Sequence, residues 1–386
     1  MREAVIVEAV RTPIGRRNGK LKGVPAVELG ATALREVVRR AGIEPIQVDQ
    51  VIMGCVTQAG EQALNIARWS LLQAGFPVDL PATTLDFQCG SSQQAVHLAA
   101  ALIQSGAADI VIAGGVEAMT RVPMLSNIAN GPGDPFTPQI VEMFQPVPQG
   151  ISAEEIAQKW HLSREDLDEF SLRSHRLAAA ASDAGWFKRE IVPLTVTLDD
   201  GTEFVLDRDE GIRYDTSLEK LAGLKPSFLE DGKVTAGNSS QISDGAAALL
   251  LMGQDVALRL GLKPRARLVA QAVVGVDPHL MLTGPIYATP KVLQRAGLKL
   301  ADMDLMECNE AFASVVLAWA KELHPDMSKV NAQGGAIALG HPLGATGAKL
   351  MVTLLHALER TGGRYGLQTM CCGGGMGTGT IIERLD

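Results

Sequence analysis

The sequence has no long hydrophobic run and few aromatic residues. No apolar stretch approaches the roughly 20 residues that a membrane-spanning helix needs, and the charged beginning Met1-Arg2-Glu3 is not followed by the hydrophobic region of a signal peptide. We therefore expect no membrane span and a cytoplasmic location. Aromatic residues make up only 4% of the chain, whereas 40 of its 386 residues are glycine, which indicates a fold with many backbone turns.

Basic residues are outnumbered by acidic ones. Lys and Arg total 35 and Asp and Glu total 43, which gives a formal net charge of -8. Because this balance provides no basic field suited to a nucleic-acid backbone, we expect no nucleic-acid partner. A local basic pocket for an anionic ligand is compatible with it.

The five cysteines do not suggest a disulfide framework or a metal site. An odd number in a chain of this length is typical of reduced thiols. No pair has zinc-knuckle spacing, and the neighbours Cys371 and Cys372 would need further ligands, of which His341 is the closest candidate, thirty residues upstream. We expect no metal. The cysteines stand at positions 55, 89, 308, 371 and 372.

Strand and helix patterns alternate in the first part of the chain. A buried strand is predicted at Ala4-Val5-Ile6-Val7 and a helix from Leu29 to Ala41. Further on, the extended segment 83–87 leads into a short loop, a helix from Gln93 to Gln104 and a strand over 110–113. This order is typical of α/β folds.

Residues 119 to about 245 have a different character. A Pro- and Gly-rich stretch over 130–150 is followed by helix-start signals at Ser152-Ala-Glu-Glu155 and Ser163-Arg-Glu-Asp166. We interpret this region as an inserted, mostly surface subdomain.

The alternation returns after Pro264. The predicted elements are an extended segment over 304–308, helices from Glu310 to Glu322 and from Ala345 to Arg360, and strands near 367–370 and 378–383. The second part thus echoes the first. This predicts a layered α/β fold with two similar halves, residues 1–261 with the insertion at about 119–245, and residues 262–386.

Cys89 lies where a predicted strand passes into a helix. Gly90 permits a close backbone approach, and Ser91 or Ser92 is placed to cap the helix. A helix N-terminus stabilises a thiolate, so we expect a nucleophile at neutral pH, with the same N–H groups available as an oxyanion hole. The alternative is that Cys89 is a small buried hydrophobic residue.

Two polar residues and a second thiol extend this candidate site. His341 lies before Pro342 in the glycine-rich segment 335–347, which favours a general base. Asn309 follows a predicted strand and either caps the next helix or holds a water or a carbonyl group with its amide. Cys371 ends a strand, next to the glycines that begin at Gly373, and should point away from Cys372.

The glycine-rich segment 373–379 is not a dinucleotide-binding loop. About seven residues follow it, too few for the helix and second strand that such a loop requires. NAD binding is therefore excluded.

Four of these segments together resemble the motifs of the thiolase family. They are Cys-Gly-Ser at 89–91, Asn-Glu-Ala-Phe at 309–312, Gly-His-Pro at 340–342 and Cys-x-Gly at 371–373. The resemblance extends over the whole chain, through the segments 8–13, 114–119 and 236–238. It implies the five-layered αβαβα thiolase fold, with two similar βαβαβαββ halves and a loop domain inserted in the first.

The resemblance also implies an acetyl-CoA C-acyltransferase that cleaves 3-oxoacyl-CoA with CoA by a ping-pong mechanism. Cys89 would be the nucleophile and acyl carrier, His341 the general base and part of an oxyanion hole, and Cys371 the general acid and base. Asn309 would hold an oxyanion-hole water, and Gly373 would supply a backbone N–H to the second oxyanion hole.

Two more residues match family positions that contact CoA. Arg213 matches the arginine near the adenosine portion and Ser240 the serine near the pantetheine arm, although both could be ordinary surface or capping residues. CoA would be a co-substrate, with no permanently bound cofactor. The family implies a homodimer or homotetramer and partner enzymes of fatty-acid β-oxidation.

The substrate is the least constrained feature. Pro148-Gln149-Gly150 stands where acetoacetyl-type members usually carry His-Met-Gly, and the segments 88–94 and 240–245 look more like degradative thiolases of long or steroid side-chain acyl groups. An acetyl-CoA C-acetyltransferase is the alternative within the family. A ketoacyl synthase is disfavoured because it would need two histidines, and a non-catalytic acyl-CoA-binding subunit because all the motifs are intact.

Overall fold

The computed structural model describes residues 2–129 and 131–385. The strands are Ala4–Arg11 (β1), Gly15–Arg16 (β2), Gln50–Gly54 (β3), Ala82–Leu85 (β4), Ile110–Ala118 (β5), Leu194–Thr197 (β6), Glu203–Leu206 (β7), Ser243–Gly253 (β8), Ala266–Gly275 (β9), Leu305–Cys308 (β10), Tyr365–Cys372 (β11) and Met376–Arg384 (β12). The α-helices are Ala26–Ala41 (α1), Ile66–Gln73 (α2), Ser91–Ser105 (α3), Ser126–Ala129 (α4), Pro138–Phe144 (α5), Gln149–Lys159 (α6), Arg164–Asp183 (α7), Leu218–Ala222 (α8), Gln254–Arg259 (α9), Gly284–Ala296 (α10), Ala313–Leu323 (α11), Ala336–Leu339 (α12) and Thr346–Thr361 (α13). Within these two ranges, no helix combines the length and the apolar character needed to cross a membrane.

The strand pairings repeat a single plan twice. The main sheet has the order β10-β11-β12-β9-β1-β8-β5-β3-β4, and β2 pairs with β8. In the first half β3 runs parallel to β5, which pairs antiparallel with β8, which pairs antiparallel with β1. In the second half β10, β11, β12 and β9 follow the same sequence of pairings. The two halves meet where Val5 and Ile6 of β1 pair with Arg267 and Ala266 of β9.

Three apolar cores lie between the layers, an outer one in each half and a central one around α3 and α13. Leu34 of α1 packs in the outer core of the first half together with Leu250 of β8. The next residue, Leu251, faces the opposite side of the strand and packs in a central core with α3 and α13. Trp319 of α11 lies in the third core, together with residues of α10, β10 and β11. The order is therefore αβαβα, and the predicted five-layered fold of two similar halves is confirmed.

The insertion lies between the last two strands of the first half. It runs from β5 to β8 and contains α4–α8 and the β6–β7 hairpin, whereas the corresponding strands β11 and β12 are joined by a short turn over 373–375. The capping box predicted at Ser163 is present, since its Oγ accepts from Asp166 N at 3.0 Å and its own N donates to Asp166 Oδ2 at 2.8 Å. The helix start predicted at Ser152 is wrong because Pro148 is the cap residue and α6 already begins at Gln149.

Candidate active site

Cys89 stands at the end of a tight turn before α3. Gln88 has a φ of 50°, a left-handed conformation that is uncommon for a residue with a side chain. Ser91 stabilises this turn, because its Oγ accepts from Phe87 N at 2.8 Å and donates to Gln88 O at 2.6 Å. Strained backbone of this kind is concentrated at functional sites. Ser91 thus closes the turn that presents Cys89.

Neither serine caps α3, which corrects the prediction from the sequence. The cap residue is Gly90, and no side chain bonds to the helix N-terminus there. Ser92 instead accepts from Ala348 N at 2.8 Å and so ties α3 to α13. The close approach predicted at Gly90 is present, because a Cβ atom there would lie 2.6 Å from Sγ of Cys372.

The thiol of Cys89 is enclosed by apolar side chains. It is 3% exposed and packs in a cluster with Val56, Met119, Leu343, Leu350 and Met370. Burial raises the pKa of Cys89 to about 12, although the N–H groups of Gly373 and of Cys89 itself act in the opposite direction. The prediction of a thiolate at neutral pH is therefore wrong, since loss of solvation outweighs the helix N-terminus. A base must remove the proton from this thiol.

His341 is held by its backbone in a conformation that requires glycine before it. Gly340 has a φ of 95°, and a Cβ atom on it would lie 2.3 Å from Ser243 Oγ. The backbone N of His341 donates to the same Ser243 Oγ at 3.2 Å and to Gln241 O at 3.2 Å. The glycine-rich loop thus places the imidazole, which is 3% exposed, in the interior.

Hydrogen bonds determine which nitrogen of His341 carries the proton. Thr346 Oγ1 lies 2.6 Å from Nδ1 and donates its own proton to Pro342 O at 2.8 Å. It must therefore accept from Nδ1–H, which leaves Nε2 unprotonated. Burial, with a smaller effect of the charge on Lys349, lowers the pKa of His341 to about 4. At neutral pH the imidazole is a neutral base with Nε2 available.

Asn309 lies beside this nitrogen. Its Nδ2 is 3.4 Å from His341 Nε2, and its backbone N donates to Thr369 O at 3.0 Å. Asn309 Oδ1 is buried and has no hydrogen-bond partner among the described residues. Asn309 does not cap a helix, because α11 begins only at Ala313 and Phe312 is in the cap position.

The contacts of Glu310 explain why α11 begins at Ala313 and not at Glu310. Its buried carboxylate accepts from Ser174 Oγ at 2.6 Å, Asn331 Nδ2 at 2.9 Å and Ile337 N at 3.1 Å. These bonds hold the segment 309–312 as an anchored loop between α7 and the loop that leads to His341. The predicted helix start at Glu310 is therefore wrong.

Cys371 and Gly373 complete the group around Cys89. Cys371 is fully buried at the end of β11, and burial raises its pKa, as would ionisation of Cys89. Cys372 contacts Gly90, whereas Cys371 packs in the core of the second half, so the two side chains point to opposite faces as predicted. The structure thus places Cys371 and Gly373 next to Cys89, and Asn309 next to His341, while Leu343, two residues after His341, packs in the cluster around Cys89.

Glu117 is a central residue of the site that the sequence did not reveal. Its carboxylate accepts from Val56 N at 2.8 Å, Thr57 N at 3.0 Å, Gln62 Nε2 at 2.9 Å and Gly344 N at 2.9 Å. It therefore ties the loop after His341 to the loop after β3. The available signal was an acidic residue in the apolar strand β5, which is buried over its whole length.

The two predicted CoA-contact residues lie at some remove from the thiols. Arg213 lines a pocket of about 220 Å³ with Asp215, Lys220 and Gln241, among others. Ser240 precedes Gln241 and donates its backbone N–H to Ala311 O at 2.9 Å, next to the Asn309 segment. Gln241 and Ser240 thus connect the pocket of Arg213 with the Asn309 segment. Residues 2–129 and 131–385 contain no cluster of His, Cys, Asp or Glu that could hold a metal ion.

This fold, with its buried Cys89, His341 and Cys371, points to a thiolase. The chain belongs to the thiolase family, since residues 4–255 match the thiolase N-terminal domain and residues 262–384 the thiolase C-terminal domain. The family and the acyltransferase class predicted from the motifs are thereby confirmed.

The relatives are named as enzymes and match over nearly their whole length. The steroid 3-ketoacyl-CoA thiolase FadA6 of Mycobacterium tuberculosis is 51% identical, over 100% of this chain and 95% of the relative. The acetyl-CoA acetyltransferase of Chromobacterium violaceum is 48% identical, over 99% of this chain and 100% of the relative. The crystal structure of the Bacillus anthracis acetyl-CoA acetyltransferase has a TM-score of 0.92 at 43% identity, over 100% of this chain and 99% of that one. Thiolase activity is therefore confirmed.

Proposed function

We propose that this thiolase cleaves 3-oxoacyl-CoA substrates to acetyl-CoA and a shortened acyl-CoA through an acyl group on Cys89. The proposal is carried by one observation. Cys89 is a buried thiol with a raised pKa, Leu343 of the loop after His341 packs against it, and His341 is a neutral imidazole whose Nε2 carries no proton. Such a pair suits a nucleophile that is activated only when its proton is transferred.

In the first half-reaction Cys89 Sγ bonds to the ketone carbon of the substrate, and His341 Nε2 takes the thiol proton. The bond between this ketone carbon and the carbon next to the thioester group then breaks. Its electron pair passes to the departing acetyl-CoA enolate. The Cys371 thiol gives its proton to the enolate carbon. The products of this half-reaction are acetyl-CoA, acyl-Cys89, a protonated His341 and a Cys371 thiolate.

In the second half-reaction the thiol of an incoming CoA loses its proton to the Cys371 thiolate and attacks the acyl carbon. The Cys89 sulfur leaves and recovers a proton from His341, which returns all three groups to their starting states. One thioester replaces another, so the step needs no further cofactor. Kinetics should be ping-pong because acetyl-CoA leaves before CoA enters.

Negative charge develops on two oxygens during these steps. The N–H groups of Cys89 and Gly373, which favour the Cys89 thiolate, would stabilise the oxyanion that forms at the acyl carbon. His341 and a water molecule that donates a hydrogen bond to Asn309 Oδ1 would stabilise the negative charge on the enolate oxygen. Loss of one such donor typically lowers the rate by about 10² to 10³.

CoA would enter along the insertion. Arg213, in its pocket, would meet the phosphate-bearing adenosine end, and Ser240, beside the Asn309 segment, would contact the pantetheine arm. CoA is then a co-substrate that comes and goes, without a permanently bound cofactor. We also infer that the protein is a homodimer or homotetramer in the cytoplasm and that it works with other β-oxidation enzymes. The boundary between its two halves is proposed to lie between residues 261 and 262.

For the substrate we favour a long or bulky acyl group, including a steroid-derived one. Two amide side chains stand next to the second oxyanion hole, since a Cβ atom on Gly373 would lie 3.0 Å from Gln88 Oε1 and 3.1 Å from Gln149 Nε2. Gln149 stands in the segment that differs from the acetoacetyl type. The relative FadA6 is named as a steroid 3-ketoacyl-CoA thiolase. The competing acetoacetyl-CoA specificity is supported by the two relatives named as acetyl-CoA acetyltransferases.

A substrate series decides between these two specificities. The rate of CoA-dependent cleavage would be measured for acetoacetyl-CoA, 3-oxo-octanoyl-CoA, 3-oxohexadecanoyl-CoA and a ring-bearing 3-oxoacyl-CoA. We expect kcat/KM to be higher for the two bulkier substrates than for acetoacetyl-CoA. A strict preference for acetoacetyl-CoA would contradict the proposed specificity, and failure to cleave any of the four would contradict the proposed reaction.

A further inference from the structure

A second cleft opens at the opposite end of α13 from His341. Its volume is about 870 Å³, within the range of about 300–1,000 Å³ found for small-molecule sites. Because α13 runs from Thr346 to Thr361 with a rise of about 1.5 Å per residue, the cleft lies on the order of 20 Å from the catalytic imidazole. The residues that line it are Glu8, Arg39, Arg40, Lys188, Arg189, Lys263, Arg265, His356, Glu359, Arg384 and Leu385.

The cleft is strongly basic in an acidic protein. Seven of the 35 Lys and Arg residues of the chain line it, against two glutamates, although the chain as a whole carries a net charge of -8. A concave surface that gathers charge of one sign attracts small ions of the opposite sign. The cleft is a local basic pocket suited to an anion, which the net negative charge of the chain does not exclude.

The two glutamates lie at the bottom of the cleft, which we call its floor, and both form ion pairs with Arg265. Arg265, whose side chain is 12% exposed, donates to Glu359 Oε1 at 2.7 Å and also contacts Glu8. Its Nη2 lies 3.3 Å from Nδ1 of His356, whose Nε2 is 3.1 Å from Ala9 O. The floor is thus an ordered network in which both carboxylates are bonded to Arg265.

The cleft is also lined by cations outside this network. Arg39 and Arg40 share the carboxylate of Glu36 and stand in the last turn of α1, where basic residues ordinarily offset the helix dipole. That explanation does not extend to Lys188 and Lys263, which lie outside the α-helices and have no ion pair with any residue in the described part of the chain. The two lysines come from the loops after α7 and before β9, and converge on this cleft.

We propose that this cleft binds a small polyphosphate, such as the diphosphate group of a nucleotide, at a site separate from the active site. Guanidinium and ammonium groups are the side chains that recognise phosphate oxygens. One phosphate would occupy only part of a cleft of this size, whereas a diphosphate with an attached nucleoside can reach Lys188, Lys263 and the arginines. Lys188 and Lys263 bind the phosphates, while Arg265 forms the rigid floor.

Titration calorimetry on the full chain tests this inference. Inorganic pyrophosphate and ADP would be titrated separately at about 0.15 M salt, and AMP would serve as the single-phosphate comparison. We expect saturable binding of pyrophosphate and ADP at one site per chain, and weaker binding of AMP. Tighter binding of ADP than of pyrophosphate would identify a nucleotide as the source of the diphosphate, and equal binding would identify the diphosphate alone.

Matched variants locate the site. The double variant Lys188→Gln/Lys263→Gln should bind pyrophosphate at least about tenfold more weakly, the effect of losing charge-assisted hydrogen bonds. Lys225→Gln/Lys291→Gln removes the same charge from other parts of the surface and should bind as the unmodified chain does. Absence of saturable binding, or an equal loss in both double variants, would overturn the proposal. A thermal unfolding curve establishes that each variant is folded.

Discussion

The two halves of the molecule share one framework but differ in the connection between their last two strands. Cys89 precedes α3 in the first half, and His341 precedes α13 at the corresponding place in the second. The strands that follow, β5 and β11, carry Glu117 and Cys371 near their ends. Beyond these strands the halves diverge, because β5 leads into the long insertion and β11 into the turn at Gly373.

The difference separates two tasks that a thiolase must perform. The short turn keeps Gly373 beside Cys89, where its N–H acts on the sulfur. The insertion is free to extend outward, and it carries Arg213 on the proposed path of CoA. The two halves therefore supply two equivalent helix starts that face each other, one with the proposed nucleophile and one with its proposed base. The divergent connections carry the proposed oxyanion hole and the proposed CoA site.

Removing the nucleophile from the first half should have the largest effect. Cys89→Ala is expected to lower kcat by about 10⁴-fold or more, since the proposed acyl carrier is lost. The rate of CoA-dependent thiolysis would be measured. Cys308→Ala, at another buried cysteine, should keep most of the activity. Residual thiolysis in Cys89→Ala within tenfold of the unmodified enzyme would show that the acyl carrier is a different residue.

The second half should respond strongly to loss of the bond that sets the tautomer of His341. Thr346→Val keeps the shape of the side chain but removes the acceptor for Nδ1–H, and kcat should fall roughly 10- to 100-fold, as expected for a misplaced general base. Thr346→Ser should restore most of the rate, and the pH profile of the valine variant should shift. An unchanged kcat and pH profile in Thr346→Val would exclude a positioning role.

The corresponding bond in the first half should matter less. Ser91→Ala loses the contacts to Phe87 N and Gln88 O that close the turn before Cys89, so we expect a rate about 3- to 10-fold lower and a free energy of unfolding about 1–2 kcal/mol smaller. Steady-state kinetics and urea unfolding measure the two effects. Ser105→Ala, at the far end of the same helix, is the control. If the two variants behave alike, the turn does not depend on Ser91.

The free energy of unfolding should decrease in mild acid. Burial lowers the pKa of His97 to about 3 and that of His341 to about 4, below the value of about 6.5 in an unfolded chain. From pH 6.5 down to 4 the unfolded chain binds more protons, so the free energy of unfolding should fall by up to about 1.4 kcal/mol per pH unit for each histidine. Urea unfolding at pH 7 and pH 5 measures this loss. His97→Gln should reduce it, and an identical pH dependence in the variant would contradict the assignment.

The candidate catalytic positions could be selected from the sequence because each stands in a short local motif. Cys89, Asn309, His341 and Cys371 follow strands or lie in glycine-rich loops, and these patterns are visible in the sequence. The duplicated α/β plan was predictable for the same reason, since strand and helix periodicities recur in order. Helix starts were less predictable, because Glu310 bonds to Ser174, far away along the chain, rather than opening a helix.

The electrostatics of the site required the tertiary structure. The pKa of Cys89 depends on apolar residues from separate segments, such as Val56, Met119 and Met370, and no local pattern shows that they converge. Glu117 is similar, because its partners come from the loop after β3 and from Gly344. Local sequence predicts the candidate reacting groups, whereas their protonation states depend on long-range packing.

Peptide mass mapping after rapid quenching tests the central claim most directly. The enzyme would be mixed with 3-oxo-octanoyl-CoA in the absence of free CoA, quenched in acid and digested. We predict a hexanoyl group on the peptide that contains Cys89, formed together with acetyl-CoA and removed when CoA is added before the quench. An acyl group on Cys371 or Cys372, or acetyl-CoA release by the folded enzyme with no acyl group on any cysteine, would contradict the account.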